Sequence, residues 1–307
     1  MPDRNTIDLE IKNSADITRK KYLTALQAHT QRDTVIYATA FSSKNAALSM
    51  LPSFLLSITN EDIQGFMSAF HQLKGNALDL ILHSPGGSLE AAEQIVNYIR
   101  KKYNHVRAII PQNAMSAATM IACACDEIVM AKHSAIGPVD PQIPVTSSGN
   151  NRYFIPAQSI LDEFEEAKKE ITQNPALATL WVHRINQYPH GFMEQCRHIV
   201  QLSKDMVAKW LSKYMFSSDQ NAKEKAMDIA EWLSDTKQHK THGRPLDIDI
   251  LKQKGLKVSS LEDDHDFQEK VLSVFHATMI TFELTPCVKL IENHLGKGIY
   301  ILVQPNR

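Results

Sequence analysis

Two turns in the first half of the chain carry residue types that could perform acyl transfer. Gly86 and Gly87 follow one apolar run, and Ser116 follows the next, between Met115 and Ala117. Glycines let the backbone turn sharply and leave N–H groups free to face a ligand. A serine hydroxyl beside such donors is the minimum for nucleophilic attack through an oxyanion.

Each turn also has an ordinary structural interpretation. The two glycines suit a tight strand-to-helix turn, and a serine at the start of a helix is more often a cap than a nucleophile. The pair is more informative, because the turns follow consecutive strands, and ligand sites in parallel sheets lie at the carboxyl ends of the strands. We therefore expect the Ser116 hydroxyl to face the N–H groups of Gly86 and Gly87.

The elements that must position these turns alternate along residues 34–131. Apolar and β-branched runs predict strands at 34–39, 77–83, 106–111 and 127–131, and helical periodicity predicts helices at 15–31, 59–73, 88–102 and 115–125. Strands separated by helices in units this short predict right-handed crossovers and a largely parallel sheet, hence an α/β fold.

The second half of the chain has a different pattern. Residues 157–233 are rich in helix-forming residues and predict a helical insertion; 241–258 predict a turn, a helix and a turn; 264–292 predict helix with a kink near Pro286; and 298–303 predict a terminal strand. The resulting division is an N-terminal segment at 1–75, a catalytic core at 76–156, a helical arm at 157–238 and a C-terminal return at 239–307.

Composition and charge exclude several classes of protein. The 307 residues are 43% hydrophobic and 22% charged, as in a globular chain, and the net charge of −1 favours neither nucleic acid nor an anionic membrane. The four cysteines lack the spacing of a zinc site and are predicted to be buried, reduced thiols: Cys123, Cys125, Cys196 and Cys287. We expect no metal, no cofactor and no nucleic-acid partner.

The sequence favours a cytoplasmic location. The N-terminal segment is too polar for a signal peptide, and the longest apolar stretch, residues 46–58, is too short to span a bilayer. No Walker A motif occurs, so we expect no P-loop ATPase in the chain itself. A separate ATPase or a membrane partner stays open.

The segment that holds both turns resembles a known family. Residues 77–143, with the runs LDLILHSPGGSLEAAEQIVNYIRK and AMSAATMIACACDEIVMAKHSAIGPVDPQ, resemble the Clp-type peptidases and the relatives of signal peptide peptidase A. Within that class the chain is most similar to the serine dehydrogenase proteinase family, and the similarity resumes at 241–258. The resemblance implies a Clp/crotonase-like α/β fold, with mostly parallel sheets of ββα-type units, a large helical insertion and a helical C-terminal part.

The resemblance also implies roles for individual residues. Ser116 falls on the nucleophile of the family, and the N–H groups of Gly87 and Ala117 fall on the donors of the oxyanion hole. Gly86 supplies the preceding turn. His83 directly precedes that turn and is predicted to brace it.

The general base departs from the pattern of the Clp-type peptidases. Their histidine lies on the loop after the strand that follows the nucleophile helix, where this chain has Val139 and Asp140. Their aspartate precedes the closing helix, where this chain has His242. We therefore hypothesise a Ser116–Asp140–His242 triad, in which His242 takes the serine proton and Asp140 orients the imidazole.

Other bases stay open at this point. A Ser–Lys dyad, as in the relatives of signal peptide peptidase A, would use Lys132, with Lys168 and Lys169 as more distant candidates, because burial can lower the pKa of a lysine. His133 and His83 are further candidates. His242 itself lies in a hydrophilic stretch and Asp140 in a turn, so each also has a purely structural interpretation.

Three classes of function fit these features. The first is a serine endopeptidase that cleaves extended peptide or protein substrates, and the resemblance implies a homo-oligomer that restricts access. The second is a crotonase-type acyl-CoA enzyme, which shares the fold but does not need Ser116. The third is a catalytically inactive scaffold or regulatory protein, which the displaced base would permit.

Overall fold

The computed structural model describes residues 4–43, 51–146 and 152–303. Its helices are α1 Arg4–Thr30, α2 Asp62–Phe70, α3 Leu89–Lys102, α4 Ala117–Cys123, α5 Ala157–Gln173, α6 Ala178–Ile185, α7 Phe192–Lys213, α8 Ala222–Leu233, α9 Thr236–His239, α10 Ile248–Gln253 and α11 His265–Leu284. Its strands are β1 Asp33–Thr39, β2 Ala77–His83, β3 His105–Ile110, β4 Asn113–Ala114, β5 Glu127–Met130, β6 Ala135–Ile136, β7 Gln142–Thr146, β8 Arg152–Pro156, β9 Val258–Ser260, β10 Cys287–Asn293 and β11 Gly298–Leu302.

A seven-stranded sheet organises the molecule. Its strand order is β11-β10-β1-β2-β3-β5-β9, and the five strands from β1 to β9 in that order are mutually parallel. β10 joins β1 antiparallel, and β11 closes that edge. The prediction of an α/β fold with a largely parallel sheet is confirmed.

Both faces of the sheet are buried, as is usual for parallel strands. Alternate residues of β1 enter separate cores, with Val35 and Tyr37 on one side and Ile36 and Ala38 on the other. Helices α2, α3 and α4 contribute to the first core, and helices α1 and α11 contribute to the second. This burial explains why β1 and β2 are near-continuous apolar runs in the sequence.

The predicted helical arm at 157–238 has two structural parts. The C-terminal half of α7 and most of α8 pack into the main core, through Val207, Leu211 and Leu233 among others. Helix α5, the N-terminal half of α7 and the β7–β8 hairpin form a small separate core that includes Ile160 and Cys196. The domain boundaries given above stay a prediction.

The predicted helix over 264–292 is wrong in its last part. Helix α11 ends at Leu284, and β10 begins at Cys287 after Pro286. Thr285 is extended, with φ −130° and ψ 163°, because a residue before proline disfavours the helical region. Lys289 and Glu292 interrupt the apolar pattern expected of a buried strand, although both are buried and ion-paired in the structure.

The apolar stretch at 46–58 is only partly described. Residues 46–50 lie outside the described residues, and Ser53–Leu56 form a short 3-10 helix. Ile58 then makes an isolated parallel bridge with Gly87. Among the helices of the described residues, none combines the length and the apolar character needed to cross a bilayer.

Candidate active site

Ser116 sits in a strained turn between β4 and α4. Its backbone angles are φ 53° and ψ −119°, a region that residues other than glycine rarely occupy. It stands at the N-cap position of α4, yet its side chain makes no capping hydrogen bond. Strain of this kind clusters at functional sites. The observed geometry therefore argues against the plain helix cap that the sequence left open.

The glycine turn lies directly against this serine. A Cβ atom placed on Gly86 would meet Met115 O at 2.6 Å, Ser116 Cβ at 2.7 Å and Ala117 N at 2.9 Å. Gly86 also has a φ of 96°. Only glycine allows the two turns to approach this closely, as the pairing of the motifs predicted.

The N–H groups of Gly87 and Ala117 are both available to a ligand. Ile58 pairs with the residues on either side of Gly87, since its N–H donates to Gly86 O at 2.7 Å and its carbonyl accepts from Ser88 N at 2.9 Å. In an extended segment, the N–H of the residue between points to the opposite side. Ala117 is the first residue of α4, where N–H groups have no acceptor within the helix.

Backbone hydrogen bonds hold the two turns in register. Ser84 N–H donates to Asn113 O at 3.1 Å, and Met115 N–H donates to Ser84 O at 2.9 Å. These bonds continue the pairing of β2 and β3 beyond the end of the sheet. The separation of Ser116 from the glycine turn is thus set by the main chain.

Both turns open into a cavity of about 450 Å³. Its lining includes Gly86, Gly87, Ser116, Ala117 and His242. Apolar side chains form much of the remaining wall: Leu89, Met120, Val139, Phe154 and Ile199. Larger surface depressions lie elsewhere, but this cavity is the one that the strained serine enters.

Asp140 and His242 meet beside this cavity. His242 Nδ1 donates to Asp140 Oδ1 at 2.8 Å. The Asp140 carboxylate is 4% exposed and the His242 side chain 29% exposed, so the imidazole can reach a substrate while its partner is shielded from water. Because Nδ1 is engaged, Nε2 is the ring nitrogen that remains available. The described residues record no hydrogen bond between His242 and Ser116, a contact that is often long in ligand-free sites.

Hydrogen bonds join the two loops that carry this pair, although the loops are distant in sequence. Ile136 and Leu246 make an antiparallel bridge, with N–H to O distances of 3.1 and 2.9 Å. Val139 N–H donates to Leu233 O, and its carbonyl accepts from Ser203 Oγ. The bridge lies four residues from Asp140 and four from His242, so it determines how the two side chains meet.

Gln142 is a site residue that the sequence reasoning missed. Its side-chain Nε2 donates to Asp140 Oδ2 at 2.6 Å, and it lines the cavity. Asp140 therefore accepts one hydrogen bond on each oxygen, from His242 and from Gln142. A glutamine two residues after an aspartate is not distinctive in a sequence, and no local signal marks it.

His83 is the last residue of β2, directly before the glycine turn, and its role as a brace of that turn stays a prediction. It is fully buried between the rings of Phe41 and Phe275. Its Nδ1 accepts from Asn113 N–H at 3.4 Å, and its Nε2 lies 2.8 Å from Ser42 Oγ. Burial lowers its pKa to about 4, so the ring is neutral near pH 7. It does not line the cavity, which disfavours it as a base.

The alternative bases lie away from the cavity. Lys132 and His133 are exposed, and neither belongs to the lining. His133 Nε2 donates to Pro111 O at 3.0 Å. Lys168 and Lys169 are exposed on α5, where Lys168 pairs with Glu165. No lysine lines this cavity among the described residues, so the geometry favours His242 over a lysine base.

The cysteines are buried and free, as predicted. Burial raises the pKa values of Cys123, Cys125 and Cys287 to about 12, and raises that of Cys196. Thiols of this kind are unreactive. Within the described ranges, no cluster of three or more histidine, cysteine, aspartate or glutamate side chains could hold a metal ion.

The parallel sheet and the two turns that meet at its edge form the architecture that the resemblance to the Clp-type class implies. Residues 7–280 match the family model described as ClpP-like SDH-type serine proteinase. The match covers most of the chain, which therefore belongs to this family. The resemblance to the serine dehydrogenase proteinase family is confirmed.

Two curated relatives come from Methanocaldococcus jannaschii. The chain is 31% identical to the uncharacterized protein MJ1495 and 32% identical to the uncharacterized protein MJ0137, each over 206 residues. The alignments cover 66% of this chain and 59% and 61% of the relatives. The chain thus spans about three fifths of the length of these relatives.

Two solved structures of the 1510-N membrane-bound stomatin-specific protease are also similar. One is a serine-to-alanine mutant, and the other is a lysine-to-alanine mutant in complex with a substrate peptide. They share 18% and 19% identity with this chain, at TM-scores of 0.40 and 0.39, and cover 70% of it and 79% and 75% of their own chains. The family assignment rests on the family model.

Proposed function

We propose that this chain is a serine endopeptidase that hydrolyses peptide bonds through an acyl-enzyme on Ser116. One observation carries the proposal: a strained serine without a capping bond opens into the same cavity as a histidine held by a buried aspartate. A nucleophile, a base and an orienting carboxylate are the three parts of a catalytic triad.

In the proposed reaction, His242 Nε2 takes the Ser116 hydroxyl proton as Oγ attacks the substrate carbonyl. Asp140 keeps the imidazole in the tautomer with a proton on Nδ1 and stabilises the imidazolium. The imidazolium then gives its proton to the leaving amine. Water, activated by the same imidazole, releases the acyl group from the serine.

The N–H groups of Gly87 and Ala117 are the proposed oxyanion donors. Both N–H groups are available to a ligand, and the two turns that carry them lie directly against each other. These two observations support the role. Such donors act where negative charge develops, and losing one typically costs about 10²–10³-fold in kcat. Gly86 contributes by letting the turns approach.

The proposed substrates are extended segments of peptides or proteins. The apolar walls of the cavity, among them Met120 and Val139, suit a substrate side chain next to the scissile bond. We also propose a homo-oligomer working in the cytoplasm, with or without a separate ATPase or a membrane partner. The homo-oligomer follows from the resemblance to Clp-type peptidases.

The proposal is tested by proteolysis of an unfolded, fluorescently labelled protein by the purified chain. Ser116→Ala should abolish release of labelled peptides. Ser212→Ala is a matched control on α7, because that hydroxyl only donates to Lys209 O, and it should keep full activity. Turnover of acyl-CoA thioesters without proteolysis would favour the crotonase-type alternative, and no turnover of either substrate would favour a scaffold.

A further inference from the structure

A buried ion pair lies behind the glycine turn and has no part in the proposed proton transfers. Lys289 of β10 and Asp62 of α2 are 2% and 1% exposed, with a distance of 2.9 Å from Nζ to Oδ1. Removing two charges from water is unfavourable unless other hydrogen bonds compensate. The further bonds of this pair therefore indicate what it holds.

These further hydrogen bonds are made to the main chain on both sides of Ile58. Lys289 Nζ donates to Ser57 O at 2.6 Å, and Thr59 N–H donates to Asp62 Oδ2 at 2.9 Å. The ion pair thus binds the residue before Ile58 and the residue after it. Ile58 is the residue whose main chain pairs with Gly86 O and Ser88 N–H.

A second branch of the same cluster reaches the nucleophile turn. Tyr37 OH donates to Asp62 Oδ2 at 2.8 Å. The Ser84 side chain lies near Tyr37, where it partly offsets the rise that burial gives the Tyr37 pKa. Ser84 Oγ accepts from Gly86 N–H at 3.2 Å. The main chain of Ser84 accepts from Met115 N–H, one residue before the nucleophile.

We propose that Lys289 and Asp62 are positioning residues for the peptidase, which set the orientation of the Gly87 N–H toward the developing oxyanion. The inference rests on the proposed function and extends it to residues that never touch the substrate. Gly87 is exposed at the cavity, and a Cβ placed on it would lie 2.3 Å from Ile58 O. Its orientation is therefore determined by the backing segment, and that segment by the ion pair.

A second buried ion pair on the same strand offers a matched comparison. Arg19 pairs with Glu292 of β10, and Tyr300 OH donates to Glu292 Oε1 at 2.7 Å. Arg19 is fully buried and also donates to Thr281 Oγ1. None of these groups contacts the segment around Ile58 or lines the cavity among the described residues.

The experiment compares paired variants of the full chain. Lys289→Met and Arg19→Met each remove one buried cation, and Tyr37→Phe and Tyr300→Phe each remove one hydroxyl that donates to the carboxylate of an ion pair. We expect kcat for a peptide substrate to fall by about 10²-fold in Lys289→Met and by about tenfold in Tyr37→Phe, with KM little changed, because oxyanion donors act in the transition state. Arg19→Met and Tyr300→Phe should keep the wild-type kcat at temperatures where they remain folded.

Two further readouts separate positioning from a general loss of structure. The midpoint of the pH profile should not move in Tyr37→Phe, because the cluster does not contact Asp140 or His242. Amide hydrogen exchange at Ile58 and Ser88 should become faster in Lys289→Met than in Arg19→Met. If Lys289→Met does not fold, the kcat values of Tyr37→Phe and Tyr300→Phe provide the same comparison.

The inference would be overturned if Lys289→Met and Arg19→Met, or Tyr37→Phe and Tyr300→Phe, lost kcat equally. It would also be overturned if Tyr37→Phe kept the wild-type kcat and amide exchange at Ile58 did not change. A wild-type chain that hydrolyses no peptide would instead refute the proposed function. In that case, exchange at Ile58 and Ser88 still decides whether the ion pair positions the turn.

Discussion

The two sides of the cavity are built by different means. The side with the proposed nucleophile, called the nucleophile side, includes Gly86, Gly87 and Ser116 and comes from two consecutive strand–turn–helix units whose main chains hydrogen-bond each other. The side with the proposed base, called the base side, joins Asp140 and His242, which are 102 positions apart, through a single side-chain contact. The nucleophile side therefore depends on backbone geometry, and the base side depends on how two distant loops pack.

The largest expected effect is on the base side. His242→Ala and Asp140→Asn should each lower kcat by about 10⁴-fold or more, because a triad without its base or its orienting carboxylate loses most of its function. The measurement is steady-state hydrolysis of a peptide or ester substrate. Lys132→Ala should retain full activity; if it abolished turnover while His242→Ala did not, the Ser–Lys dyad would replace the triad.

The next prediction concerns the backbone of the nucleophile side. Gly86→Ala should lower kcat by about 10²-fold, since its Cβ would force the two turns apart and misplaced catalytic groups cost about that much. Gly191→Ala is a matched control, because Gly191 also has a positive φ of 79° but no atom within 4 Å of the added Cβ. Both variants should lose some stability to backbone strain in thermal unfolding, and only Gly86→Ala should lose activity. Equal activity in the two would show that the close approach is unimportant.

A smaller effect is expected from the amide that supports Asp140. Gln142→Leu should lower kcat about tenfold, because Asp140 Oδ2 loses its hydrogen bond while the bond to His242 remains. Gln158→Leu removes the same kind of bond, from an amide to Asp162, on helix α5 and should leave kcat unchanged. Both are measured with the same peptide substrate. If Gln142→Leu kept the wild-type kcat, Gln142 would have no part in the reaction, and the base side would consist of His242 and Asp140 alone.

The last prediction concerns the effect of His83 on stability at acid pH. Its pKa falls from the ordinary value of 6.5 to about 4 on burial, so between these values the unfolded chain binds a proton that the folded chain does not. The contribution of His83 to stability is complete above pH 6.5 and falls as the pH drops to 4, by about 3 kcal/mol in all.

Denaturant unfolding of the wild type and His83→Gln between pH 4 and 7 measures this contribution. The wild type should lose stability more steeply toward low pH than the variant. His190→Gln changes an exposed histidine and should follow the wild-type curve. A His83→Gln curve parallel to the wild-type curve would contradict the assigned burial effect.

Features of the nucleophile side can be predicted from the sequence. The parallel strands and both turns follow from local patterns, since buried strands are apolar and sharp turns need glycine. The pairing of Asp140 with His242 is implied only by the family pattern, and their contact agrees with it. Local chemistry alone would not pair residues so far apart.

Features that depend on long-range polar contacts could not be predicted. The sequence of strand β10 predicts helix because Lys289 and Glu292 are residue types that are usually exposed, whereas in the structure they are buried and paired with α2 and α1. Gln142 and the segment at Ile58 have no distinctive neighbours in the chain. Their importance arises only when the tertiary structure brings them to Asp140 and Gly87.

The central claim is that Ser116 is the nucleophile and that His242 with Asp140 activates it. The most direct measurement is labelling of the purified chain with a fluorophosphonate probe, followed by mass spectrometry to locate the modified residue. We predict one label, on Ser116, which disappears in Ser116→Ala and forms much more slowly in His242→Ala and Asp140→Asn. A label on another residue, or unchanged labelling of the Ser116→Ala variant, would contradict the account.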